Sequence, residues 1–274
     1  MYPHMTLPLT DLTALKRHRA RSTPDGMFLH NAALDELQDR LRMVNKSFTS
    51  TAIVTGFPDF WAQQFPDATV VADSDTINLA PLSCDLVLHV MGLHWANDPV
   101  GQLIQCRRAL HPDGLFIAIS PGGDTLQELR RALGEAEIAV TGGLSPRVAP
   151  LPELRALGAL LQRAGFALPV ADTVSLGVEY RDIWHLMHDL RAMGEANALQ
   201  ARLRRPTRRA VFARAQKHYA AHFAAPSGRL HASFALQVLT GWAPDASQPQ
   251  PLRPGSAQQR LADALGSAEK PLRD

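Results

Sequence analysis

The stretch CDLVLHVMGLHWANDPVGQLIQCRRALHPDGLFIAI, residues 84–119, decides the fold. CDLVLHVM (84–91) and GLFIAIS (114–120) are short apolar, β-branched runs bounded by Gly, Pro, Asp or Ser, the pattern of strands buried on both faces. Between them VGQLIQCRRAL (100–110) has helical spacing and stops at HPDG, a turn signal that delivers the chain into the next strand. Strand, helix and strand running one way make a βαβ unit, and such units build a doubly wound parallel sheet.

Working outward, TAIVTGF (51–57) and ATVVADS (68–74) read as two more buried strands. FLHNAALDELQDRLRMV (28–44) sets Leu29, Ala33, Leu37 and Leu41 on one helical stripe. On the far side, the helix PELRALGALLQRAGF (152–166) leads into VADTVSLGVEY (170–180), whose alternation suits an edge strand, and a last strand is expected at LHASFALQVLTGWA (230–243). The helical, charged stretch between those two strands is an insertion of the size of a lid. The expected organisation is an N-terminal helical segment (1–45), an α/β domain (46–243) with a helical lid at 181–225, and a Pro- and Gln-rich tail (244–274) ending in a short helix.

Composition excludes little. At 46% hydrophobic residues the 274-residue chain can bury a sizeable core, and 28 Lys and Arg against 26 Asp and Glu leave bulk charge silent on a nucleic-acid partner. Two cysteines, Cys84 and Cys106, are too few for a disulfide framework; buried reduced thiols and a cytoplasmic setting are expected. No run reaches the roughly 18 apolar residues of a membrane span, and the N-terminus lacks the apolar core of a signal peptide. KRHRAR (16–21) is expected to lie on a solvated helix.

Other clusters in the sequence bear on chemistry. His89 and His94 near Cys84 and Cys106 match no metal-ligand spacing, and His218 with His222 lack the glutamate of a zinc helix, so no metal is expected. GGDTLQELR (122–130) reads as a helix start, with Asp124 or Thr125 as cap and Gly122 and Gly123 able to meet an anion. RLRRPTRRAVFAR (202–214) is the strongest local positive charge and suits RNA or an acidic protein surface; with Phe212 its one aromatic, nucleic acid is the less expected.

The 84–119 run, with GGDTLQELR, GGLSPRVAP (142–150), LGALLQRAGFALPVADT (157–173), DLRAMGEANAL (189–199) and LTGWAP (239–244), resembles class I S-adenosylmethionine (SAM) dependent methyltransferases. Within them it is similar to bacterial relatives of the mitochondrial complex I assembly factor with a methyltransferase fold, and more distantly to biotin-pathway malonyl-carrier-protein methyltransferases. The resemblance implies a Rossmann-like sheet, SAM as cofactor, and a respiratory-chain subunit as protein client. The mitochondrial member is linked to hydroxylation of an arginine on an iron–sulfur subunit, so the fold does not fix the reaction. By the same resemblance Gly56, Asp73, Asp75, Gly92 and Leu93 fall at cofactor positions, and His94, Trp95 and Asn97 face substrate. Trp95 as a packing residue and Asn97 as a helix cap suit those residue types equally.

The chain departs from the family at AIVTGFP (52–58). There the family keeps an acid and a glycine-rich loop, whose missing Cβ atoms let the backbone approach SAM. Here the strand acid becomes Val54, only Gly56 remains, Pro58 has no N–H, and Phe57, Phe60 and Trp61 bring bulk into the expected SAM space. Residues 58–83 are too short for the family's two further strands, so one βα unit is expected to be missing and ATVVADSD to serve as either the second or the third strand.

Overall fold

The computed structural model describes residues 8–249 and 261–266. The chain opens with two helices, α1 (Leu12–Arg19) and α2 (Phe28–Met43), then β1 (Thr51–Thr55), α3 (Pro58–Gln64), β2 (Thr69–Ala72) and β3 (Cys84–Val90). After a one-turn 3-10 helix at Leu93–Trp95 come α4 (Pro99–Ala109), β4 (Leu110–Pro121), α5 (Gln127–Thr141), α6 (Leu154–Arg163) and β5 (Ala167–Tyr180). Two lid helices, α7 (Ile183–Ala192) and α8 (Arg209–His222), precede β6 (Leu230–Trp242). The described residues up to Pro244 form one compact unit and those from Asp245 onward another. In the second, Asp245 takes a side-chain hydrogen bond from the Ser247 N–H (2.8 Å), and α9 (Leu261–Leu265) is a short helix. The tail's expected extended part falls largely on residues 250–260, outside the described residues.

One six-stranded sheet carries the fold in the order β2-β1-β3-β4-β6-β5. The first four strands pair in parallel; β6 runs antiparallel to both β4 and β5. This is the doubly wound, Rossmann-like sheet expected, with one βα unit fewer and a helical insertion before the last strand. β2 pairs directly with β1, which settles the ambiguity of residues 68–75: they are the second strand.

Period-two burial makes the sheet a partition between two cores. Ile53, Leu88, Ile117 and Val238 point to a core closed by α2, α5, α7 and α8, whereas Val54, Val87, Phe116 and Leu239 point to one closed by α4 and α6. A third cluster joins Ala14 and Leu15 of α1 to Trp95, Ala198 and Leu199, so α1 packs on the lid while α2 packs on the sheet. Backbone bonds stitch the two: Asp11 N–H to Ala198 O, the Gln200 N–H to Leu9 O, and Thr23 N–H to Ala192 O, each 2.8 Å. Close approach is possible because residue 26 is glycine; a Cβ there would stand 2.5 Å from the Ala192 carbonyl carbon.

Three expectations are corrected here. The lid is not helical throughout, since residues 193–208 are irregular between α7 and α8. The GGDTLQELR helix starts at Gln127 and not at Asp124 or Thr125: Leu126 takes the N-cap position with φ +56°, and Thr125 instead donates to Gly122 O and accepts from the Ala235 N–H. The Gly122 and Gly123 N–H groups are committed to Ala235 O and Pro152 O, which leaves no anion seat. Third, Trp61 does not enter the cleft. Pro58 starts α3, and one turn later Trp61 is fully buried among Phe60, Phe65 and His30, its indole N–H donating to His30 Nδ1 at 3.2 Å. Trp61→Ala is therefore expected to destabilise the protein by about 3–5 kcal/mol in urea denaturation without altering access to the cleft.

Candidate functional site

The strand order reverses between β1 and β3, and the crevice at such a switch point, beyond the carboxyl ends of the strands, is where open α/β sheets bind ligands. Gly56 follows β1, Asp73 follows β2, and Gly92 follows β3, so the crevice gathers these three. It opens into a cleft of about 730 Å³, walled by α1, Met27, Phe57, Phe60 and the Thr55–Gly56 and Ala72–Ser74 turns.

Arg19, from the last turn of α1, lies in this crevice. Its Nη1 donates to Asp73 Oδ1 at 2.8 Å, with both side chains about nine-tenths buried at 9% and 10% exposure. The guanidinium sits 5.3 Å from the centre of the Phe57 ring. A Cβ at Gly56 would fall on that guanidinium, and one at Gly92 would fall on the Asp73 carboxylate. Here both glycines make room for the Arg19–Asp73 pair. The expectation of a solvated 16–21 helix therefore fails at Arg19, and also at His18, whose Nδ1 bonds the Ala196 carbonyl at 3.0 Å.

Behind Asp73 the turn is held from the sheet. Gln102 of α4 donates to the carbonyls of Asp73 and Ser74 (3.1 Å each), and its Oε1 accepts from Nε2 of His89 at 2.9 Å. Burial within β3 lowers the His89 pKa. Asp75 and Leu93 lie elsewhere: the Asp75 carbonyl accepts from Gln105 Nε2 and its side chain is exposed, while Leu93 is buried in the α4 and α6 core.

On the other side of the Leu93–Trp95 turn is a smaller, largely apolar cavity of about 260 Å³, between α5, the 147–151 loop and the lid. His94 and Trp95 line it together with Glu195, at the end of the lid's first half. His94 Nε2 stands 3.1 Å from Glu195 Oε2, and the Trp95 indole N–H donates to the same oxygen at 2.7 Å. Burial pushes the Glu195 carboxyl up, but the charge and hydrogen bond of His94, the Arg19 charge and the Trp95 bond outweigh it and hold the pKa at about 2. Asn97 turns away: its Oδ1 accepts from the Thr10 N–H and its Nδ2 donates to Thr10 O, so it fixes the N-terminal segment, and Asp98 caps α4. Arg147 lines the cavity, bound twice to buried Glu137 (2.7 and 2.9 Å) and once to Thr207 (2.9 Å).

Several buried polar atoms near the cleft and the cavity are unpaired: Nε and Nη2 of Arg19, Nε2 of His30, Nδ1 of His94 and Oε1 of Glu195 have no hydrogen-bond partner among the described residues. Burial lowers His30 to about 4, so it is neutral at pH 7. Among the described residues no group of three His, Cys, Asp or Glu stands where it could hold a metal. Arg19 and Glu195 were not legible as site residues. Arg19 looked like one cation in a basic run, and the signal for Glu195 is a lone acid within the apolar AMGEANAL.

The profile of the methyltransferase domain family matches residues 32–118. Arginine-hydroxylase NDUFAF5, mitochondrial, is 36% identical in Danio rerio, over 72% of this chain and 61% of that protein, and 37% identical in Homo sapiens, over 71% and 56%. The malonyl-[acyl-carrier protein] O-methyltransferase of Methylovorus sp. (strain MP688) is 33% identical, over 65% and 57%. The chain carries a methyltransferase domain over residues 32–118. It spans about six tenths of the length of these relatives. In the crevice the loop glycine, Gly56, faces the Arg19 guanidinium, and the acid after the second strand, Asp73, is ion-paired with it.

Three largely buried groups, Glu195, Glu137 and His30, set a pH dependence. The Glu195 pKa is lowered, so its contribution is full above its ordinary 4.5 and is lost as pH falls toward 2, a window that Glu137, also held at about 2, shares. His30 is held neutral, so stability also falls as pH drops from its ordinary 6.5 to about 4. Urea midpoints measured from pH 7 to 2 should decline through both windows. Glu195→Gln should make the lower decline shallower, with the share of Glu137 remaining, and should move the upper one slightly lower in pH, since the Glu195 charge raises the His30 pKa.

Proposed function

We propose that this chain is a methyltransferase-like assembly factor that holds a side chain of a protein client in the cavity beside His94, Trp95 and Glu195, and that does not bind SAM in the superfamily's manner. The observation that carries the reading is the Arg19 guanidinium between Gly56 and Asp73. A SAM ribose needs the Asp73 carboxylate and a SAM backbone contact needs the face of Gly56; both are taken from within the chain. Pro58 supplies no N–H, and Phe57 adds a ring to the same wall.

The cavity supports a cationic client side chain. Glu195 is an ionised carboxylate with one oxygen unpaired, and apolar walls such as Leu129, Leu190 and Phe234 suit an alkyl stem. Relatives named arginine-hydroxylase make arginine the natural candidate. A respiratory-chain subunit as client, and action in complex I assembly, follow from that kinship. Two buried free cysteines are consistent with a reducing, cytoplasmic compartment, and among the described residues no helix is long and apolar enough to cross a membrane.

One observation favours a second reading, an active SAM-dependent methyltransferase: the cleft keeps about 730 Å³, and Asp73 still ends the strand beside β1. Titration calorimetry separates the two. The closed-cleft reading expects no heat of binding at micromolar SAM, since two lost polar contacts of about 1.5 kcal/mol each amount to about a hundredfold in affinity. Saturable micromolar binding by the unmodified protein would return methyl transfer to first place.

A further inference from the structure

From Ala196 to Pro244 the chain holds eight Lys and Arg and not one Asp or Glu. Arg202 is paired with Asp11 at 2.8 Å, and Arg204 reaches the same carboxylate only at 3.4 Å. Arg205, Arg208, Arg209, Arg214 and Lys217 are exposed and form no ion pair among the described residues. Globular surfaces ordinarily intersperse the two signs; a stretch without acids makes a field of one sign that reaches about a Debye length, roughly 8–10 Å, into solvent.

These cations are held on a fixed frame. α8 buries Val211, Ala215 and Tyr219, packs along α5, and has the Tyr219 hydroxyl donating to His231 O at 2.8 Å. The loop before it is tied down where Arg147 donates to Thr207. The neighbouring α5 adds exposed Arg131 and one exposed acid, Glu135. The frame also abuts the cavity: Arg147 and Phe212 line the cavity wall, and half-exposed Trp184 rests on the Phe212 ring with centroids 5.2 Å apart.

We propose that the face formed by residues 204–217 docks an acidic segment of a protein, which brings one of its side chains to the cavity mouth. This rests on the reading of the cavity as a client's side-chain site and adds the chemistry of the surrounding surface: negative outside, one cationic residue inside. The rings favour a protein over a nucleic acid. Trp184 and Phe212 are inclined 53° to one another and Phe212 closes the cavity wall, so they give no run of parallel platforms for successive bases.

The test uses the full chain and a fluorescein-labelled heptapeptide with three glutamates on each side of one arginine, followed by anisotropy at 50 and 200 mM salt. The proposal expects binding that weakens with salt and falls by about tenfold or more in Arg205→Glu/Arg208→Glu/Arg209→Glu, with the melting temperature unchanged. A second variant, Arg214→Glu/Lys217→Glu, should act in the same direction. Equal binding of a peptide with glutamine in place of every glutamate, or indifference to both charge reversals, would overturn it. So would tighter binding, through the same arginines, of a uridine oligonucleotide or of phosphatidylglycerol vesicles. Replacing the peptide's central arginine with glutamine tests the cavity separately: unchanged affinity there removes the cationic side-chain reading and leaves the docking face standing.

Discussion

The ion pair between Arg19 and Asp73 is the constraint around which the rest is arranged. It joins the first helix to the end of the second strand across the crevice of the sheet, with both side chains nearly withdrawn from water. A buried pair of this kind contributes little net stability over an apolar substitute, but losing one partner leaves the other charge stranded at a cost of about 3–5 kcal/mol. The glycines on either side, Gly56 and Gly92, are the complementary feature: side chains there would collide with one partner or the other. Glycine in these two turns thus makes room for the chain's own ion pair.

From that pair the structure extends to the lid. A Cβ at Gly194 (φ +79°) would stand 3.0 Å from the Arg19 Cα and 3.3 Å from the Phe57 ring, so the turn that ends the lid's first half rests on the same helix end. Glu195 follows at once, with its carboxylate held by Trp95 and His94 and lowered by the Arg19 charge. Cleft and cavity therefore share one buried electrostatic environment although they lie on opposite sides of the Leu93–Trp95 turn. The basic face of the lid lies outside this environment, in solvent.

What the sequence disclosed followed from local pattern. Short apolar runs in 84–119, separated by a helical spacing, set strand, helix and strand, and the short interval at residues 58–83 announced the missing βα unit because chain length alone forbade it. Trp61 misled because the glycine-loop comparison placed it by sequence position, while its burial is decided by α3 turning it onto His30. Asn97 was legible as a polar residue after a strand, yet its partner, Thr10, is 87 positions away. Arg19 meets Asp73 across 54 positions, and Glu195 meets His94 across 101; no spacing rule joins residues so far apart. Local chemistry identified the crevice, and long-range packing decided what fills it.

Hydrogen–deuterium exchange of the full chain, with Arg19→Ala set against the unmodified protein, tests the central claim most directly. If Arg19 closes the cleft and anchors the N-terminal segment to the lid, amides of 12–27 and 183–202 should exchange at least about tenfold faster in the variant, with β3 and β4 as protected as before. Unchanged protection of those two segments would contradict the account.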